Sequence, residues 1–208
     1  MSQHKGKLIV FEGIDGAGTT TQIRLAAEFL RQHDFVVYET AEPSTGFIGV
    51  KIREILRGDT QTTSEALALL FAADRLDHVD KEIRPYLHKG AIVLSDRYLL
   101  SSLAYQSLDN PLDWVTTLNA KAQRPDLNIY FQISAEKAVA RVQARGGPEE
   151  IFDAQAKQEK IALAYESVAC REDIGPVKTI DAEKNMDDVR AAIIAILRTC
   201  LEIDDDAG

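Results

Sequence analysis

The chain contains only two cysteines, Cys170 and Cys200, among its 208 residues. Their spacing fits neither a zinc-ligand pair nor a redox motif. A chain of this length buries enough apolar surface to fold without disulfides or metals. We therefore expect two reduced thiols.

Long apolar runs and an excess of positive charge are also missing. No stretch approaches the ~18 apolar residues of a membrane helix, and "MSQHKGKLIV" leads into an apolar run too short for a signal peptide. Cytoplasm is the expected location, with no membrane partner. The formal net charge is −9, whereas nucleic-acid binding depends on clustered Lys and Arg, so no nucleic-acid partner is expected.

Short β-branched runs alternate with longer segments of helical pattern, which predicts an α/β fold with a five-stranded parallel sheet flanked by helices. The predicted strands are 7–12, 35–40, 91–95, 127–133 and 176–180. The predicted helices are about 19–33, 47–57, 64–88, 97–106, 112–122, 135–145, 154–171 and 185–201. Asn185 is the expected N-cap of the last helix. With no linker in view, we expect one domain over residues 1–208.

A glycine-rich turn between the first strand and the first helix carries the strongest chemical signal. "GIDGAGTT", Gly13 to Thr20, has the spacing and the strand-to-helix context of a phosphate-binding loop. Glycines let backbone N–H groups curl around phosphate oxygens, and the helix N-terminus adds partial positive charge. The residues expected to hold the nucleotide phosphates are Gly13, Gly16, Ala17, Gly18, Thr19, Thr20 and Thr21, and the Thr20 hydroxyl takes the position of a Mg²⁺ ligand.

The lysine of such loops is absent, because Thr19 stands in its position. That lysine reaches the β- and γ-phosphates, and threonine brings no charge. The loop alone is therefore compatible with two alternatives: an inactive nucleotide binder, or an enzyme that takes the charge from elsewhere.

Four further stretches occur downstream, in register with the loop: "EPSTGFIGVKIREIL" (42–56), "LLFAADRLDHV" (69–79), "SDRYLLSSLAYQ" (95–106) and "RPDL" (124–127). Together with the loop they resemble the thymidylate kinase family, P-loop nucleoside monophosphate kinases that transfer the ATP γ-phosphoryl group to dTMP. The resemblance covers about residues 7–145 and continues more weakly in "TIDAEKNMDDV". It implies a P-loop NTPase fold, ATP as donor, Mg²⁺ as cofactor and a homodimer.

The resemblance also assigns the acceptor site residue by residue. Arg97 and Arg53 are similar to the arginines that grip the acceptor phosphate, Asp96 to the carboxylate that organises Mg²⁺ through water, and Asp15 to the carboxylate at the sugar 3′-hydroxyl. The residues implied to bind dTMP are Asp15, Glu42, Pro43, Arg53, Phe71, Arg75, Arg97, Ser101, Tyr105 and Gln106. Among them, Phe71 corresponds to the aromatic that stacks on thymine and Arg75 to the arginine that bonds the base, while Ser101, Tyr105 and Gln106 resemble residues around base and sugar.

Several positions depart from the family pattern. "AEPSTG" has Ala41 where an arginine is frequent, and Gly16 replaces an arginine found in one branch of the family. "ARGGPEEIFD" at 144–153 interrupts two helical patterns; alone it favours a turn, and the resemblance predicts a lid at about 144–155. The usual lid sequence D-R-F-E reads Glu150 to Asp153 here, with Ile151 in place of arginine.

The cations left for the triphosphate are Arg141 and Arg145, one helical turn apart, with Lys157 and Lys160 beyond them. We hypothesise that Arg145, with Arg141, replaces part of the lost charge; the alternative is a pair of solvated helix arginines. The catalytic set predicted from sequence is thus Asp15, Asp96, Arg97 and Arg145. An active dTMP kinase is the leading interpretation, and the alternatives are a nucleotide-binding regulator and a kinase for another deoxynucleoside monophosphate.

Overall fold

A parallel five-stranded sheet forms the centre of the fold. The computed structural model describes residues 5–146 and 151–203. Its strands are β1 (Lys7–Gly13), β2 (Val37–Ala41), β3 (Ile92–Asp96), β4 (Leu127–Gln132) and β5 (Val177–Asp181). All pair in parallel in the order β2-β3-β1-β4-β5. The predicted α/β fold with five parallel strands is confirmed.

Helices connect the strands and cover the sheet. They are α1 (Thr19–Gln32), α2 (Phe47–Leu56), α3 (Ser64–His78), α4 (Arg84–His88), α5 (Leu99–Gln106), α6 (Leu112–Leu118), α7 (Ala135–Gln143), α8 (Ile151–Ala169) and α9 (Met186–Leu201). A π-helical segment, Val79–Ile83, joins α3 to α4, and a 3₁₀ turn spans Glu172–Ile174.

The central strands are apolar because they are buried on both faces. Leu8, Ile9, Val10 and Phe11 of β1 have no exposed surface, and the first three residues of β3 are equally buried. Continuous apolar strands of this kind are typical of parallel sheets covered by helices on either side. Helix α1 packs against α9 and the sheet, whereas α5 packs against α8 and α6.

Helix boundaries differ from the sequence prediction where the backbone has local constraints. The predicted helix 64–88 is divided by the π-helical segment, and the one predicted from 97 begins at Leu99 because Arg97 adopts a positive φ of 69°. The helix predicted at 112–122 ends at Leu118. The Asn185 cap is confirmed, since its side chain accepts a hydrogen bond from the Asp188 amide.

The carboxyl ends of three neighbouring strands bring the predicted motifs together. In the β1–β3 register Phe11 lies opposite Asp96, and in the β2–β3 register Ala41 lies opposite Asp96. The Glu42 amide donates to the Asp96 carbonyl at 3.0 Å. The phosphate loop, the segment after β2 and the Asp96–Arg97 pair therefore meet at one edge, where ligands bind in open α/β sheets.

Both cysteines are free thiols, as predicted, with Cys170 exposed and Cys200 half-buried. Within residues 5–146 and 151–203, no helix has the length and apolarity that a membrane span requires.

Candidate active site

The phosphate loop has the backbone shape that its glycines predict. It runs from the end of β1 to Gly18, which precedes α1 with a φ of 96°, while Gly16 has a φ of 90°. Residues that carry a side chain rarely adopt such φ angles, whereas glycine does so readily. The loop borders a cavity of about 180 Å³. Its lining residues are Ile14, Asp15, Gly16, Gly18, Thr19, Thr20, Thr21, Asp96, Arg97 and Arg145.

Two cations line this cavity in the described part of the chain, Arg97 and Arg145. Thr19 lines it without contributing charge. Arg145 is exposed and also borders a second cavity of about 370 Å³ between α7 and the start of α9. Arg145 thus lies at the junction of the two cavities, and the hypothesis that it reaches the triphosphate stays a prediction.

Arg141 lines only the second cavity, where its Nη2 donates to the Ala182 carbonyl at 2.9 Å. Lys184 also lines that cavity and was missed as a candidate cation. It lies in the stretch "TIDAEKNMDDV", whose weak motif gave no reason to single it out. Neither Lys157 nor Lys160 lines the cavities described here.

Thr20 and Asp96, the two residues that the sequence predicts near Mg²⁺, lie in contact with each other. The Thr20 hydroxyl donates to Asp96 Oδ2 at 2.6 Å. A hydroxyl and a carboxylate at the edge of a phosphate-sized cavity are ligands that suit Mg²⁺, which retains several waters and takes further oxygens from substrate phosphates. In the described residues no cluster of three or more His, Cys, Asp or Glu forms a complete protein cage. The oxygen pair thus fits a metal held jointly with the nucleotide.

Arg97 reaches across the cavity from the end of β3. Its guanidinium donates to Asp15 at 2.5 Å and lies 5.0 Å from the centre of the Tyr105 ring. Its strained backbone is held on both sides: the Arg97 amide donates to the Phe11 carbonyl at 2.9 Å, and Ser95 Oγ donates to the Arg97 carbonyl at 2.8 Å. A non-glycine residue with positive φ persists only when its surroundings fix it.

A buried carboxyl, that of Glu12, shares two hydrogen-bond partners with Arg97. Glu12 on β1 has no exposed surface, and its Oε2 accepts from Ser101 Oγ at 2.6 Å and from the Tyr165 hydroxyl at 3.2 Å. Burial raises the pKa of Glu12 to about 7, with the Ser101 hydrogen bond and the Arg97 charge opposing the rise. Sequence reasoning missed Glu12 and Tyr165, although an acidic residue in the apolar run "KLIVFEG" was a signal that could have been used.

Arg53 is directed at the segment that follows β2. Its Nη2 and Nη1 each donate at 2.5 Å, to the carbonyls of Pro43 and Ser44 respectively. Ser44 is fixed from the other side by Asp74, which accepts from its amide at 2.7 Å and from its hydroxyl at 2.6 Å. The segment after β2 is therefore held by hydrogen bonds on two sides. Asp74 and Ser44 are thus further residues of the candidate site that sequence reasoning did not select.

Arg75 is buried to 1% exposure rather than open to a cavity. It forms an ion pair with Glu42 at 2.7 Å and donates to the Tyr98 carbonyl and the Ser102 hydroxyl at 2.8 and 2.9 Å, and also to Asn119. Its Nε has no hydrogen-bond partner among the described residues. The assignment of Arg75 to the base remains a prediction.

Phe71 is half-buried one turn before Arg75 on α3, the shared face that their spacing predicts. On α5, Gln106 Oε1 is buried without a hydrogen-bond partner in the described part of the chain, while Tyr105 lies against the Arg97 guanidinium. Buried polar atoms are normally bonded. Neither Tyr105 nor Gln106 lines the two cavities, so their contact with dTMP stays a prediction.

The family model described as thymidylate kinase matches residues 11–193. The chain belongs to the thymidylate kinase family.

Curated relatives of the chain carry the same family name. The chain is 37% identical over 200 residues to "Probable thymidylate kinase" of Pyrococcus abyssi, covering 93% of this chain and 97% of the relative. It is 36% identical over 205 residues to "Thymidylate kinase" of Desulfotalea psychrophila, covering 98% and 100%. A relative from Methanococcus maripaludis, "Probable thymidylate kinase", is 46% identical over 163 residues, covering 78% and 77%. The resemblance predicted from sequence is confirmed.

The predicted lid of this thymidylate kinase family member lies only partly within the described chain. Helix α7 ends at Gln143, and Gly146 has a positive φ of 85°. Glu150 lies outside the described residues, and α8 begins at Ile151. The lid at about 144–155 stays a prediction.

The two left-handed glycines of the loop provide a matched test of its packing. A Cβ at Gly16 would lie 2.2 Å from the Ala138 carbonyl oxygen, whereas a Cβ at Gly18 would meet nothing within 4 Å. Gly18→Ala should cost about 1–2 kcal/mol of unfolding free energy from its φ alone. Gly16→Ala should cost more, because backbone must also move. Denaturant unfolding without nucleotide measures both, and equal losses would contradict the packing described for Gly16.

Proposed function

We propose that this protein transfers the γ-phosphoryl group of ATP to dTMP, giving ADP and dTDP for dTTP synthesis. The observation that carries the proposal is a single cavity in which a phosphate loop faces Arg97, with the Thr20–Asp96 pair at its edge. Family membership supports dTMP as the acceptor.

In this reaction the loop amides hold the phosphates of ATP while Arg97 binds the acceptor phosphate. Arg53 joins it when its guanidinium exchanges the Pro43 and Ser44 carbonyls for phosphate oxygens. An oxygen of the dTMP phosphate attacks the γ-phosphorus in line, and the bond to the β–γ bridging oxygen breaks. ADP leaves with that oxygen. No covalent enzyme intermediate is needed, because positioning and charge neutralisation supply the catalysis.

Arg97 needs to be released from Asp15 to bind a phosphate, and the exposure of Asp15 makes this exchange feasible. The Asp15 side chain is 60% exposed and that of Arg97 24% exposed, so their ion pair contributes little stability. Asp15 is then free to meet the sugar 3′-hydroxyl, the role that the resemblance implies.

Thr20 directly and Asp96 through water would hold Mg²⁺, which neutralises charge on the transferring phosphate. The charge that Thr19 does not provide comes, in this proposal, from Arg145, supported by Arg141. Arg145 borders the phosphate-loop cavity, and Arg141 is anchored to Ala182 one turn earlier. A cytoplasmic location completes the proposal, supported by the free thiols and by the use of ATP.

A coupled assay of ADP release tests the function. ADP production should require ATP, dTMP and Mg²⁺ together, and competition among dTMP, dUMP, dCMP and dGMP should favour dTMP. Binding of dTMP without turnover would support the regulator instead, which the comparisons do not favour. A preference for another monophosphate would retain the chemistry and change the acceptor.

Arg145→Ala should lower kcat at least ~10-fold, because a charged contact made in the transition state is lost. Lys157→Ala is the matched control, since Lys157 is exposed and lines neither cavity, and its kcat should stay within ~2-fold of wild type. Steady-state kinetics at saturating ATP and dTMP measure both. An unchanged rate for Arg145→Ala would reject its role, and a large gain for Thr19→Lys would favour the regulator.

We also propose a homodimer formed through α2 and α3. These helices pack together and leave apolar side chains exposed: Phe47 is 71% exposed, Leu56 57%, Leu69 50% and Leu76 42%. Leu69 and Leu76 are seven residues apart and share one face of α3. An apolar surface shared by adjacent helices suits an isologous interface, in which the same face meets its own copy.

Sedimentation velocity tests the interface. The wild type should sediment as a dimer, whereas Leu69→Glu combined with Leu76→Glu should shift it to monomer, because charge would be buried without a partner. Leu163→Glu on α8 is the control, since Leu163 is 66% exposed and lies outside the proposed interface. A dimer that survives the double substitution would place the interface elsewhere.

A further inference from the structure

The proposed reaction assigns no role to Glu12. Its side chain is wholly buried beside Ser101 and Tyr165, and Oε1 has no hydrogen-bond partner among the described residues. An ionised or half-satisfied carboxyl in an apolar strand is costly to retain. Apolar packing alone would be served better by leucine or methionine at this position.

A count of protons shows what the carboxylate does to its neighbours. Ser101 has one hydroxyl proton and donates it to Glu12 Oε2 at 2.6 Å. The Tyr165 hydroxyl, 2.6 Å from Ser101 Oγ and 3.2 Å from Glu12, donates its single proton to one of these two oxygens. In either arrangement the lone pairs of both hydroxyls remain available as acceptors.

Those lone pairs face Arg97. Its Nη1 donates to the Tyr165 hydroxyl at 3.3 Å and to Ser101 Oγ at 3.4 Å, while Nη2 is directed at Asp15 on the cavity side. A planar guanidinium that is fixed through Nη1 has the orientation of its other donors fixed as well. The two hydroxyls therefore set the angle at which Arg97 faces the cavity.

We propose that Glu12 is a positioning residue for the acceptor phosphate: its carboxylate orients the Ser101 and Tyr165 hydroxyls as acceptors, and they fix the guanidinium of Arg97. This inference rests on the proposed function, because it takes Arg97 as the ligand of the acceptor phosphate. It adds Tyr165 of α8 to the site and connects β1, α5 and α8 through one hydrogen-bonded cluster.

The cluster makes the role dependent on pH. The charged and titratable groups around Glu12 are Arg97 at the end of β3, Tyr105 on α5, Tyr165 on α8 and Arg75 on α3. Burial raises the pKa of Glu12 to about 7, although the positive charges of Arg97 and Arg75 lower it. Below that pH Glu12 gains a proton and can donate to Ser101 or Tyr165, which reverses the direction of the hydrogen bonds.

The change in unfolding free energy when Glu12 loses its charge distinguishes a positioning role of Glu12 from a structural role. Since the folded-state pKa of Glu12 lies above the usual carboxyl value, ionisation of Glu12 disfavours the folded state as the pH rises from about 4.5 to about 7. Glu12→Gln, which keeps the shape and removes the charge, should therefore unfold at an equal or higher denaturant concentration at pH 8. A structural role would lower it.

The decisive experiment compares Glu12→Gln with wild type at pH 8 by steady-state kinetics and by calorimetric titration with dTMP. The kcat/KM for dTMP should fall at least ~10-fold, since small misplacements of a binding group cost this much, while KM for ATP stays within ~2-fold. Between pH 8 and 6 the wild type should lose kcat/KM relative to the variant, because the variant lacks the Glu12 carboxylate while every other titrating group is common to both.

Matched variants locate the effect in the cluster. Tyr165→Phe should reduce kcat/KM for dTMP in the same direction, and the double variant should show less than the summed loss, because both act on one network. Asn128→Ala is the control for loss of a buried polar group in the sheet: Asn128 on β4 is fully buried and bonds the carbonyls of Ile174 and Pro176. It should reduce stability with kcat/KM per folded molecule unchanged.

The outcomes distinguish this inference from the proposed function. Wild-type turnover together with an unaltered kcat/KM and dTMP affinity in Glu12→Gln would overturn the role of Glu12 alone. If the wild type binds dTMP without turnover, the proposed function fails, and the calorimetric affinities still decide on Glu12. If the wild type neither turns over nor binds dTMP, both proposals are overturned.

Discussion

The parallel pairing of β1 with β3 is the constraint on which the site depends. It sets Phe11 opposite Asp96, and the next amide, that of Arg97, donates to the Phe11 carbonyl at 2.9 Å. This register brings the loop after β1, together with Thr20 at the start of α1, within reach of Asp96 and Arg97 at the end of β3. A shift of one residue in this pairing would exchange the two faces of one strand relative to the other and would move Asp96 and Arg97 away from the loop. The packing of the core and the geometry of the site therefore depend on the same register.

Charge is distributed unevenly around that junction. The cavity is bordered by a loop with no lysine and by two arginines, and one of these, Arg97, lies near the buried carboxyl of Glu12. Glu12 is wholly buried and the Arg97 side chain is 24% exposed, so these two charges interact more strongly than they would at the surface, whereas Arg145 is exposed to solvent. The chain can therefore place its cations on α7 and at the end of β3, provided that other side chains hold them in a defined direction. Arg97 is held in this way by Asp15, Ser101 and Tyr165.

Much of the fold was predictable because its signals are local. The β-branched runs predicted all five strands, and Asn185 predicted the start of α9 correctly. The π-helical segment Val79–Ile83 was not predicted, although Pro85 lies two residues after it and was a signal for a break in the helix, because proline lacks an amide hydrogen. The late start of α5 follows from the positive φ of Arg97, which depends on bonds to Phe11 and Ser95 that form only in the folded sheet.

The parallel α/β fold, the phosphate loop and the family could all be predicted from local patterns, because each rests on short motifs whose residues act through nearby backbone. Tertiary structure decided which side chains share the site. It buried Arg75 against Glu42, placed Arg145 between two cavities and brought Tyr165 to Glu12 across 153 positions of the chain. Contacts between such distant residues depend on strand register and helix packing, which no local pattern encodes.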